Sequence, residues 1–146
     1  KNTENMNTTM TLAHFPVAYG CALVAALLPI VCTGIAKWGM FGKPRRDGGY
    51  DNANPRAWLA RQTDWRARAN AAQANSFEAL PFFIGAVIIA HQLGAHQTQL
   101  DVLAFVFIVL RMLYILLYLA NLPMVRTVVW TLGFAVNVAI LFIGYR

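Results

Sequence analysis

The sequence predicts an all-α membrane protein whose four transmembrane helices form one bundle. Hydrophobic residues make up 58% of the 146 residues and charged residues only 12%, whereas soluble domains carry about 25% charged residues. Four long apolar stretches interrupt the chain, and most of the basic residues lie between the first two of them. A chain of this length is typical of a single domain, so we predict one domain over residues 1–146.

The four apolar stretches cover about residues 15–37, 71–91, 100–119 and 127–145. Each is close to the roughly 20 residues that a helix needs to cross about 30 Å of hydrocarbon. A segment in lipid must satisfy its own backbone hydrogen bonds, which favours helices. A transmembrane β-barrel would instead show strict alternation of apolar and polar residues, and these stretches are apolar on all sides.

The distribution of charge predicts the orientation. Lys1 and Glu4 cancel before the first stretch, and a basic run follows it, which is the reverse of a cleaved signal peptide. We therefore expect a retained first helix preceded by a disordered polar segment at residues 1–11. The loop from 37 to 68 is basic, while the loop from 92 to 99 has no Lys or Arg, so the positive-inside rule places the first loop in the cytoplasm and both termini outside. A bacterial inner membrane is the expected location.

The long first loop divides into two parts. Gly and Pro residues mark turns in its first half, whereas from residue 56 to 74 good helix formers dominate. We therefore expect the second helix to begin in the cytoplasm, within residues 38–70, before it enters the bilayer. The net charge is +6. The basic residues lie beside apolar spans and are not interleaved with aromatic residues, which favours anionic lipid as a partner and excludes nucleic acid.

Two charged residues lie well inside apolar stretches, Glu78 in the second and Arg111 in the third. Either one facing lipid would cost about 2.5–3.5 kcal/mol on insertion scales, so we expect both to face the bundle interior or a polar cleft. Helical spacing places polar side chains on one face of each helix. On the second helix these are Arg68, Asn75 and Glu78, on the third Arg111, Tyr114 and Tyr118, and Arg126 begins the fourth.

These two faces allow two interpretations. Turned towards each other, they form a cationic cleft lined by hydroxyl groups near the cytoplasmic side. Alternatively, Glu78 and Arg111 neutralise each other and stabilise the bundle, while Tyr114 and Tyr118 are anchors at the membrane interface. Both can hold together.

Other polar residues carry weaker signals. His91 and His96 have no further ligands at metal spacing, so no metal site is expected. Cys21 and Cys32 are separated by about 16 Å of helix, which is too far for a disulfide. We expect Asn137 to form an interhelical hydrogen bond and Asp101 to cap the third helix.

The segment from Arg68 to Phe82 resembles the signature of the MAPEG family, the membrane-associated proteins in eicosanoid and glutathione metabolism. The Asn-x-x-Glu-x-x-Pro core lies at Asn75, Glu78 and Pro81. A second motif, Arg-x-x-Tyr-x-x-x-Tyr, runs from residue 111 to 118 and is followed by Arg-Thr at 126–127. With four helices and a long first loop, the resemblance extends over essentially the whole chain, and the chain is similar to bacterial members of the microsomal glutathione transferase type.

The resemblance implies a homotrimer that binds glutathione as co-substrate between subunits near the cytoplasmic face. It implies that Arg111 and Tyr114 are catalytic, acting near the thiol of glutathione. A lipophilic second substrate would arrive through the bilayer. The residues that would contact the tripeptide are Arg68, Gln73, Asn75, Glu78, Tyr118 and Arg126.

The chain departs from the family pattern at two positions. Animal members that use glutathione often carry Arg four residues before the motif Asn, and several carry a basic residue directly before it. Here these positions are Ala71 and Ala74. The leading hypothesis is thus a glutathione-dependent transferase or peroxidase for lipophilic electrophiles, and the alternative is a non-catalytic membrane scaffold that binds lipid or a partner. A small drug exporter would account for Glu78 but not for Arg111.

Overall fold

The computed structural model describes residues 15–145, and every regular element in that range is helical. The predicted disordered segment at residues 1–11 lies outside the described residues. The helices are α1 (Val17–Lys37), α2 (Pro55–Ala60), α3 (Trp65–Gln92), α4 (Gln97–Leu119) and α5 (Pro123–Phe142), with a 3₁₀ turn at Arg45–Asp47. The predicted all-α class is confirmed.

Four of the helices, α1, α3, α4 and α5, are long and apolar enough to cross a membrane. The chain is therefore an integral, multi-pass membrane protein. The 28 residues of α3 correspond to about 42 Å at 1.5 Å per residue, more than the 30 Å of the hydrocarbon core. This helix begins at Trp65, six residues before the span predicted from hydropathy, so its first turns extend beyond the apolar segment.

The bundle has α3 and α4 at its centre, because each of them packs against the other and against both α1 and α5. The buried face of α1 consists largely of small residues at helical spacing, which allow close approach of neighbouring helices in a membrane. These residues are Ala18, Cys21, Ala25, Cys32 and Ala36. Both cysteines are free and buried.

The side chain of Asp101 joins the start of α4 to the start of α1. The carboxylate of Asp101 accepts a hydrogen bond from the backbone N–H of Ala18 at 2.8 Å and another from Gln97 Nε2 at 2.8 Å. Asp101 is the fifth residue of α4, so it caps the first turn of α1. The prediction that it caps its own helix is wrong, because a neighbouring helix presents an unsatisfied N–H within its reach.

The first loop folds against the end of the bundle where α1 ends and α3 begins. Trp58 and Leu59 of α2 are buried against Ala36 and Ala69, and the indole N–H of Trp58 donates to the carbonyl of Gly48 at 3.2 Å. This packing positions the first turns of α3.

Candidate functional site

The site centres on Arg111 in the middle of α4. Its side chain is buried, with 5% relative exposure. Its Nη2 donates to Oδ1 of Asn75 at 2.9 Å and to Oγ of Ser76 at 3.3 Å, both on α3. Nδ2 of Asn75 donates in turn to Oε2 of Glu78 at 3.3 Å. A neutral amide thus connects the two charged groups.

One of the two interpretations is that Glu78 and Arg111 neutralise each other, and the structure contains no direct ion pair between them. Among residues 15–145, no Asp or Glu oxygen lies within 4.0 Å of the Arg111 guanidinium. Its close contacts are neutral groups and the ring of Tyr114, whose centroid is 4.5 Å from the guanidinium carbon. A buried cation without a paired anion is costly, so the site favours any anion that can reach it.

Two adjacent tyrosine rings with a guanidinium group at each end connect Arg111 to the start of α5. The rings of Tyr114 and Tyr118 meet edge to face, with centroids 5.7 Å apart. The guanidinium of Arg126 lies over the ring of Tyr118 at 4.0 Å. The structure therefore places side by side four residues that the sequence assigned to one cleft.

Two neighbouring cavities open between α3, α4 and α5. The first, which we call the Arg111 cavity, has a volume of about 160 Å³. The second, the Arg126 cavity, has a volume of about 230 Å³ and includes Arg126 and Thr127 in its wall. Asn75, Tyr114 and Trp130 line both, so the two cavities form the candidate site.

Two of the predicted site residues lie elsewhere in the subunit. Nε of Arg68 donates to the carbonyl of Leu119 at 3.0 Å, which ties α3 to the end of α4. Gln73 is half-buried and lies about 200° round the helix from Asn75, at 100° per residue. Arg68 and Gln73 line neither cavity, and neither does Tyr118, which contacts Tyr114 and Arg126 beside them.

Sequence reasoning missed three contributors to the site. Ser76, which contacts Arg111, has the appearance of a packing residue because it falls on the small-residue face of α3. Trp130 lies in an apolar stretch with no motif of its own. Asn137 was expected to form an interhelical hydrogen bond, but its buried Oδ1 accepts none from the described residues, and its side chain instead lines the Arg111 cavity.

The arrangement suits a ligand that carries opposite charges. Guanidinium groups bind carboxylates and thiolates with strong, charge-assisted hydrogen bonds. Glu78 is exposed and has no Lys or Arg nitrogen within 4.0 Å in residues 15–145, so it is available to an ammonium group. A cationic and an anionic side chain thus line the same cavity.

The comparisons with known proteins bear on the family of the chain and not on the ligand of the site. The model of the MAPEG family matches residues 17–145, which include all four membrane helices and every residue that lines the two cavities. No curated protein and no solved structure matches the chain.

Proposed function

The chain belongs to the MAPEG family, and from that membership we propose that it is a glutathione-dependent transferase or peroxidase for lipophilic electrophiles. The observation that supports this most is Arg111, a buried cation beside a cavity, held by neutral partners only. A thiolate is one anion that such a position would stabilise, and it is the nucleophilic form of a thiol.

The residues around the two cavities fit the charges of glutathione. Arg126 would hold a carboxylate at the polar end of the site. Glu78, oriented by Asn75, would accept the ammonium group. Tyr118 lines neither cavity and would act by positioning Arg126, whose guanidinium lies over its ring. Arg68 and Gln73 remain predictions from the family signature, since they line neither cavity of the single subunit.

In the chemical step, the main role of the protein is to place a positively charged group beside the reacting sulfur. Arg111 stabilises the thiolate after the thiol proton leaves to solvent, with the hydroxyl of Tyr114 as a second donor. In conjugation, the sulfur forms a bond to the electrophilic carbon and a leaving group such as chloride departs. In peroxide reduction, two thiols are oxidised to a disulfide while the peroxide is reduced to an alcohol and water.

We propose a homotrimer with the first loop on the cytoplasmic side. Large apolar side chains are exposed along one face of α1, including Leu23, Leu27 and Ile30, and this face requires lipid or another subunit. The basic loop and Arg126 lie at the same end of the bundle, because Arg68 contacts the end of α4 directly before α5 begins. The positive-inside rule supports a cytoplasmic location for that end.

Turnover of a chlorinated dinitrobenzene with glutathione tests the proposal. We expect Arg111→Ala to lower kcat by about 100-fold or more, as the loss of a transition-state donor does, while glutathione still binds. Arg126→Ala should raise the KM for glutathione about 10-fold and leave kcat nearly unchanged. Unaltered turnover in folded Arg111→Ala protein would remove Arg111 from the chemistry.

A non-catalytic scaffold is the second candidate, and Ala71 and Ala74 favour it because both replace basic residues of the family pattern. Titration calorimetry with glutathione separates the two candidates. The scaffold predicts no binding at millimolar glutathione, whereas the enzyme predicts saturable binding that Arg126→Ala weakens.

A further inference from the structure

The end of the Arg111 cavity formed by α5 carries one polar group that the proposed chemistry does not use. Asn137 is buried, with 3% relative exposure, and lines the cavity. Its Oδ1 accepts no hydrogen bond from residues 15–145. A buried acceptor without a donor is costly, and the terminal torsion of an amide turns readily. Oδ1 is closed off from the cavity as it stands, and a turn of the amide would bring it to a donor that enters the cavity.

The walls near Asn137 are aromatic. Phe82 and Phe134 contact each other with ring centroids 5.7 Å apart, and Trp130 stacks on Phe134 at 5.6 Å. Phe107, which is stacked on Phe83 of α3 at 4.2 Å, also lines the cavity. Rings of this kind favour an aromatic guest in offset or edge-to-face contact.

The cavity has room for one aromatic ring. Its volume is about 160 Å³, and an apolar protein cavity of about 150 Å³ holds benzene. From these observations we propose that the Arg111 cavity binds a single aromatic ring that carries a hydroxyl or amino donor, a phenol or an aniline, with Asn137 as the acceptor.

The position of Asn137 gives the orientation of this ring. Asn137 follows Arg126 by eleven residues on α5, about 16 Å along the helix axis, so it lies deeper in the membrane than the polar end of the site. The donor of the ring points towards Asn137 and the rest of the ring faces Arg111. This inference rests on the proposed function, because it names the class of the lipophilic second substrate as an aromatic electrophile with a phenolic or anilino group.

Fluorine NMR of the detergent-solubilised protein with 4-fluorophenol and 4-fluoroanisole tests the inference without glutathione. The two probes differ in the hydrogen-bond donor, which methylation removes. We expect 4-fluorophenol to bind with a Kd about 3- to 10-fold lower, the factor that one neutral hydrogen bond provides. Asn137→Leu should abolish the difference. Equal binding of both probes to the wild-type protein would overturn the inference.

Two variants serve as controls. Thr131→Val removes a polar group from an exposed position of the same helix, where the hydroxyl donates to the carbonyl of Thr127, and should leave both affinities unchanged. In Gly133→Leu the added side chain enters the cavity, since a Cβ at this position has only ordinary contacts, 4.0 Å from Leu110 and Phe107. Neither probe should then bind, and the remaining signal measures partition into detergent.

The outcomes also separate this inference from the proposed function. Glutathione binding to the same protein, with no preference for 4-fluorophenol, would overturn the inference alone. A preference for 4-fluorophenol without glutathione binding would overturn the proposed function and retain the phenol site. If Asn137→Leu does not fold, the comparison of the two probes on wild-type protein and on Gly133→Leu still decides.

Discussion

At the scale of single residues, Asn75 lies between the two charged groups of the site and contacts both of them. Its oxygen accepts from Arg111 and its nitrogen donates to Glu78, so the amide orients both groups without neutralising either. A direct ion pair would satisfy the charges within the protein and leave little attraction for a ligand. Separating the two charges leaves Arg111 able to attract an anion and Glu78 able to attract a cation.

Replacing Asn75 tests this arrangement. Asn75→Ala leaves the buried guanidinium with one hydrogen-bond acceptor fewer, and hydrogen bonds to charged groups contribute about 1.5–3 kcal/mol. We expect the free energy of unfolding in mixed micelles to fall by about that amount. Asn70→Ala, the same change at a half-buried position that lines neither cavity, should cost less than about 0.5 kcal/mol. Equal losses in the two variants would show that Asn75 has no special role.

At the scale of elements, α3 carries the polar half of the site and is fixed at its start. Asp64 caps this helix by accepting from the backbone N–H of Arg66 at 2.9 Å. The guanidinium of Arg66 also contacts Asp64 at 2.8 Å and donates to the carbonyl of Trp38 at 3.2 Å. The pKa of Asp64 lies below its ordinary value. The hydrogen bond from the backbone N–H of Arg66 has the largest effect, and the Arg66 side chain lowers the pKa further.

This lowered pKa predicts a dependence of stability on pH. The folded state binds a proton on Asp64 less readily than the unfolded state, so the contribution is present above the unfolded pKa of about 3.9 and is lost as the pH falls through the folded pKa. Asp64→Asn keeps a cap acceptor but does not titrate. Between pH 5 and 3, thermal unfolding should show the wild-type protein losing more stability than Asp64→Asn, and parallel curves would contradict this assignment.

At the scale of the whole molecule, the bundle has one strongly basic end. The first loop, the start of α3 and the start of α5 meet there, and the loop between α3 and α4 lies at the opposite end. The polar end of the candidate site, at Arg126, therefore opens on the side that the basic loop occupies. Glutathione is a water-soluble co-substrate, so the proposed function requires this end of the bundle to face the aqueous compartment that contains glutathione.

Cysteine labelling in intact cells or sealed vesicles tests the orientation. Arg46→Cys places a thiol in the basic loop and His96→Cys places one between α3 and α4, both at exposed positions. The native cysteines are buried and should contribute little background. A membrane-impermeant maleimide added from outside should label His96→Cys and leave Arg46→Cys unlabelled until the membrane is opened. The reverse pattern would invert the topology.

The sequence alone was sufficient for the helices and for most of the candidate site. The bilayer allows few solutions for an apolar stretch of about 20 residues, so composition and length predicted four spans. Charged side chains must avoid lipid, and this requirement correctly predicted that Arg111 is buried in the bundle. Glu78 lines the Arg111 cavity but is exposed in the single subunit. Helical spacing then placed Asn75, Tyr114 and Tyr118 beside them.

The tertiary structure alone decided which polar groups meet across helices. Spacing along the chain determines on which face of its own helix a residue lies. It does not determine which neighbouring helix that face contacts. For this reason Asp101 caps α1 and Arg68 binds the end of α4, although the sequence assigned them to other partners. The Asn75 bridge between charges, and the cavity at which Asn137 is left without a donor, likewise depend on how α3, α4 and α5 pack, which no single segment encodes.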